Sequence, residues 1–152
     1  MVSVRRPWPP TVSRRTRWAA LAGALAYGAV VLVVWVLAYG GLGLLDGLFT
    51  VQVGPWLVYA FGGAAVVGAA LAVSVDRYGL FGPTVAVMCL FAVAVYQLWQ
   101  ALQSPYVLMP GDPFQLYLVG WPVVLCVAVV VGLAERYVRA TTSGESKASG
   151  AP

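Results

Sequence analysis

Apolar residues run through this chain in long unbroken stretches, and charged residues mark their ends. No charged residue lies between Arg17 and Asp46, between Asp46 and Asp76, between Arg77 and Asp112, or between Asp112 and Glu135. A helix needs about 20 apolar residues to cross a hydrocarbon layer about 30 Å thick, and each neutral block is long enough. The pattern therefore predicts an all-α integral membrane protein with four transmembrane helices in an up-down-up-down bundle. The spans are expected at about 18–39, 55–75, 83–103 and 114–134, within a transmembrane domain of residues 18–139.

Helices are preferred over barrel strands on periodicity. A lipid-facing strand alternates apolar and polar positions, whereas Val123 to Val131 is apolar throughout. A lone segment in lipid satisfies its backbone only as a helix. A water-soluble bundle is disfavoured because no predicted helix has a polar face. Composition agrees: 61% of residues are hydrophobic and 9% charged, against about a quarter charged in soluble domains. The absence of Ile and Asn and the single lysine, Lys147, read as the codon bias of a GC-rich genome, here a prokaryote.

Breakers bound the spans. Pro7, Pro9 and Pro10 disfavour helix in a basic tail over residues 1–17. Pro55 suits a first helical turn. Residues 140–152, rich in Ser, Gly and Ala, are expected to be disordered. Ser13-Arg14-Arg15 resembles the start of an export signal, but the apolar run that follows exceeds the 7–15 residues of a signal core, so an uncleaved anchor is expected.

Charge sets the threading. With four alternating spans, all nine Lys and Arg residues fall on one side, and the positive-inside rule makes that side, with both termini, cytoplasmic. Trp35, Trp56, Trp99 and Trp121, with Tyr39, Tyr59, Tyr96 and Tyr117, are expected to form an aromatic belt at the outer interface. Arg5, Arg6, Arg14, Arg15 and Arg17 are expected to contact anionic headgroups, at about 1 kcal/mol per residue near the surface. Nucleic acid is not an expected partner.

Candidate chemistry is sparse. Gln97 and Gln100 are three apart and share a helix face, and Gln103 follows on the same helix. Amides in lipid need partners, so they are expected to point into the bundle. With Gln115, Trp99 and Tyr96 they make either interhelical hydrogen bonds, worth about 0.6 kcal/mol each, or a polar lining for a solute. Gly120 and Pro122 predict a kink in the fourth span, either a hinge or static. Ala20-Ala24-Gly28 and Ala60-Ala64-Gly68-Ala72 form small-residue ridges for close packing; Ala128-Gly132 adds a shorter one. Cys89 and Cys126, without histidine, read as packing residues rather than metal ligands. Asp76-Arg77-Tyr78 and Glu135-Arg136-Tyr137 end two spans alike, as interfacial anchors.

No ionisable residue lies inside a predicted span, which disfavours ion pathways and proton relays. No nucleotide-binding or serine-hydrolase motif occurs, so neither an autonomous enzyme nor a cofactor is expected. Three readings follow. The first is a structural or accessory membrane protein that packs with itself or a larger complex. The second is a carrier or pore for a neutral or lipophilic solute through the Gln set. The third is an enzyme acting at the outer interface through Asp46 or Asp112.

Overall fold

A computed structural model describes residues 13–39, 54–103 and 113–148, with side chains to 141. Arg5, Arg6, Asp46 and Asp112 lie outside the described residues. Five α-helices are present: α1 (Arg14–Tyr39), α2 (Gly54–Tyr78), α3 (Gly82–Gln103), α4 (Pro113–Val119) and α5 (Trp121–Ala148). No strand occurs among the described residues. Four of the helices, α1, α2, α3 and α5, are long and apolar enough to cross a membrane.

α1 begins four residues before the expected Trp18, so Arg14, Arg15 and Arg17 occupy its first turn rather than a tail. The nearest proline of the tail, Pro10, lies upstream, and Ser13 supplies a cap. Ser13 Oγ accepts the Thr16 N–H at 3.2 Å and lies 2.8 Å from Thr16 Oγ1, as an N-cap side chain does. Cations in a first turn oppose the helix dipole, and a carboxylate from α2 offsets them. Asp76 pairs with Arg15 Nε at 3.1 Å and accepts from Thr16 Oγ1 at 3.2 Å. The start of α1 is thereby tied to the end of α2.

α2 stops at Gly79, whose φ of 60° suits glycine alone without strain. Its N–H donates to Val75 O at 3.0 Å, a left-handed helix ending. Three residues later α3 starts, and Glu135 of α5 caps it: the Gly82 N–H donates to Glu135 Oε2 at 2.8 Å. Arg139 donates to the other carboxylate oxygen one turn along α5. Asp76 and Glu135, each the acidic residue of a similar triplet, therefore do different work. Asp76 joins α1 to α2, and Glu135 joins α3 to α5.

The fourth span is two helices rather than one kinked helix. Pro122 has no N–H to donate back to Leu118, and Gly120 separates α4 from α5. Val123 N–H reaches only Gly120 O at 2.9 Å, an i→i−3 bond, and Tyr59 of α2 donates to Val119 O at 3.3 Å. A side chain from another helix thus takes up a carbonyl at the break. At its far end α5 continues to Ala148, nine residues past Arg139 and through much of the segment expected to be disordered.

The core runs along the inner faces of all five helices. Val31, Ala60, Val87 and Phe114 are fully buried, with Val67, Leu98 and Leu118 beside them. Ala60, Ala64 and Gly68 of the α2 ridge are buried, and Ala72 is half-buried. The α1 ridge is in a different register. Ala20, Ala24 and Gly28 are only half-buried, and a methyl on Gly28 would meet nothing within 4 Å. Closest approach falls at Gly23, where a methyl would stand 2.5 Å from both Gly68 O and Ala72 Cβ. The stripe facing α2 is Thr16-Gly23-Tyr27-Val31, its larger members anchoring either side of one backbone contact.

Candidate functional site

The Gln set does not line the interior. Gln97, Gln100 and Gln103 are exposed on the outer face of α3, as are Tyr96 and Trp99; Gln115 is half-buried in α4. Gln100 Nε2 donates to Tyr96 OH at 2.6 Å, four residues back on the same helix. A partner one turn away satisfies the amide locally, so it need not turn inward. Leu98 and Ala94 take the inward positions of that helix end.

The polar group inside the bundle is a pair of phenols. Tyr27 of α1 and Tyr117 of α4 meet hydroxyl to hydroxyl, and Tyr27 is 8% exposed. Phe91 of α3 seats both rings, at 5.9 Å from Tyr27 and 5.8 Å from Tyr117, and stacks edge-on with Phe114 at 6.2 Å. Offset and edge-on geometries at these separations are the favourable ones for aromatic pairs. The pair ties α1 to α4 across the bundle. Its sequence signal is a lone tyrosine in the middle of the first apolar block, far from either end of α1, where an interfacial ring has no reason to be.

Tyr117 is thus not part of an outer belt, and neither is Trp121. The Trp121 ring lies against Gly63, where any side chain would collide with it. Tyr59 flanks it at 5.7 Å, and the indole N–H is buried without a partner. Trp35 packs on Trp56 at 5.5 Å and on Tyr39 at 4.5 Å. Of the four tryptophans expected at the belt, Trp99 alone faces fully outward. Cys89 and Cys126 are free and exposed, not packed inside. No cluster of three or more metal-ligating side chains occurs among the described residues.

Two clefts flank α2. One, of about 250 Å³, lies between α2 and α5 and is apolar along Leu71, Leu125, Ala128 and Val129, with Tyr78 and Arg136 among its lining residues. The other, of about 690 Å³, opens between α1 and α3. Its walls include Gly23, Ala26 and Val30 of α1, Gly68 and Ala72 of α2, and Thr84 and Met88 of α3, with Arg15 and Asp76 at one end. Inside the bundle, beside the phenol pair, is a void of about 10 Å³. That is at the threshold for one water.

The phenols set a stability test. Each single change, Tyr27→Phe or Tyr117→Phe, strands the remaining hydroxyl in an apolar interior, a loss of about 1 kcal/mol. The double change to phenylalanine leaves nothing stranded and is expected to cost less than either single one. Unfolding free energies in mixed detergent micelles check the order; a double variant weaker than both singles contradicts it.

No protein-family model, no curated protein and no solved structure matches this chain.

Proposed function

We propose that this is a multi-pass membrane protein of structural or accessory type, one that associates laterally with a second copy or a larger membrane complex. The observation that carries the reading is the shut interior. Apolar side chains and the Tyr27–Tyr117 pair fill the centre, leaving a void of about 10 Å³, while the open clefts face sideways. A solute path needs a polar lining. The Gln side chains that were to supply it lie outside, which removes the main support for a carrier or pore. The outer-interface enzyme reading rests on Asp46 and Asp112, outside the described residues.

In this proposal the four spans thread up-down-up-down with both termini in the cytoplasm, across the cell membrane of a GC-rich prokaryote. The pairing of the α1 start with the α2 end, and of the α3 start with the α5 end, supports the threading. So does the placement of every Lys and Arg in segments that the threading assigns to one side. Lateral association uses the broad apolar faces, among them Leu25 and Leu37 on α1 and Val130 and Leu133 on α5. Extraction into mild detergent after cross-linking in the native membrane tests it. A discrete complex with a second copy or a defined partner is the expected product; uncross-linked monomer at every cross-linker dose contradicts it.

A further inference from the structure

The cleft between α1 and α3 is graded along its length. Arg15 and Asp76 stand at one end. Thr84 follows, two residues into α3, with its hydroxyl buried and without a hydrogen-bond partner. Beyond it the walls are apolar, with Gly23 and Ala26 beside the larger Leu71, Val75 and Met88, as far as Val30. From Arg15 to Val30 the helix rises about 22 Å at 1.5 Å per residue. Half of a bilayer with its headgroups, about 40–45 Å in all, is about 20–22 Å. The cleft is therefore one leaflet deep. It changes from cationic to hydroxylic to apolar in the order in which a phospholipid changes from phosphate to ester to acyl chain.

We infer that this cleft binds one anionic glycerophospholipid of the leaflet on the arginine side. The inference rests on the membrane reading above and adds a specific ligand to it. Phosphate meets the Arg15 guanidinium. Asp76 pairs with its Nε at 3.1 Å while the Arg15 side chain stays 88% exposed, and a guanidinium can offer a phosphate two parallel bonds. Arg15 and Asp76 are the charged residues of the lining; with their chain neighbours Arg14, Arg17 and Arg77, and with Glu135 at the start of α3, four cations face two carboxylates at this end, a balance that favours an anion. Thr84 turns by one rotamer to donate to an ester carbonyl, which gives its buried hydroxyl the partner it lacks. One acyl chain lies along the glycine-lined wall. There the cleft stays open on its lipid side between α1 and α3, and the chain is held by close packing, since apolar burial gains little in lipid.

The test counts lipid on the protein. Full-length chain is reconstituted in nanodiscs of equal phosphatidylglycerol and phosphatidylcholine, then analysed by native mass spectrometry. One retained phosphatidylglycerol per chain is expected. Ala26→Trp fills the cleft from an exposed wall position and should abolish retention. Leu25→Trp, at a position 73% exposed on the same helix and outside the cleft lining, should leave it intact. Arg15→Gln should lower phosphatidylglycerol retention about fivefold, the share of one arginine at an anionic surface, with phosphatidylcholine unchanged. Equal retention in Ala26→Trp and wild type overturns the site. Retention that Arg15→Gln leaves unaltered overturns the headgroup assignment, and so does a wild type that holds both lipids equally. A wild type carrying no lipid, but forming a dimer that Ala26→Trp disperses, overturns lipid as the occupant. A chain that stays dissolved and monodisperse without detergent overturns the membrane reading itself, and that is seen before any lipid is counted.

Discussion

Gly68→Leu is expected to cost about 3 kcal/mol, the upper part of the usual range for overpacking. Any side chain at position 68 points at the Gly23 carbonyl and the Tyr27 Cβ. Two of the obstructing atoms are backbone, so no rotamer change relieves the clash. α1 must move off α2, and its ties then weaken together: the Arg15–Asp76 pair, the Thr16 bond and the Tyr27–Tyr117 contact. In lipid, helices gain little from apolar burial and depend on close packing to associate, so a lost backbone contact has no hydrophobic compensation. Gly28→Leu is the matched control. It lies on the corresponding small-residue stripe of α1 in the sequence, but a methyl there meets nothing within 4 Å, and its cost is expected to stay within about 0.5 kcal/mol. Reversible unfolding in mixed micelles measures both. Equal losses at 28 and 68 mean that α1 packs in the other register.

Phe114→Ala is expected to cost about 3 kcal/mol, at the lower end for deleting a fully buried aromatic ring. Phe114 has no exposed surface. It braces Phe91, which in turn seats both members of the phenol pair. Deleting it leaves a cavity where α4 meets α3. α4 is only seven residues long and is separated from α5 at Gly120, so the ring is one of its two buried anchors, with Leu118. Local loosening of α4 is therefore expected along with the global loss. Faster hydrogen exchange at residues 113–119 reports the first, and the unfolding midpoint the second. Phe81→Ala removes the same ring from a position that is 62% exposed and should fall within about 0.5 kcal/mol. Similar losses at 81 and 114 exclude a core role for Phe114.

What was hard to read in the sequence has one cause. Each span is apolar on every side, so its hydrophobic pattern has a length but no phase. Length places the ends, and the ends of α2 and α3 fall close to where breakers and charges put them. Phase would say which face turns inward, and without a polar stripe nothing in the periodicity says it. The Gln residues of α3 were the natural candidates for an interior because amides avoid lipid. They face outward, and Gln100 is satisfied there by Tyr96 on its own helix. Tyr27 is the converse, a single hydroxyl in mid-span whose partner comes from a helix 90 residues later. The α1 ridge failed in the same way, because alanines and glycines at Ala20, Ala24 and Gly28 look as able to pack as Gly23 until α2 is set against them.

The amino-acid sequence determined that there are four long apolar stretches of helix and which segments carry the arginines, because a bilayer's thickness and its aversion to charge act on composition alone. Tertiary structure decided the rotation of each helix, the Gly23–Gly68 contact, the split at Gly120, the buried phenol pair and the cleft between α1 and α3. These depend on which residues approach one another across helices, and in chains apolar on every face that choice is made by shape, at contact distance.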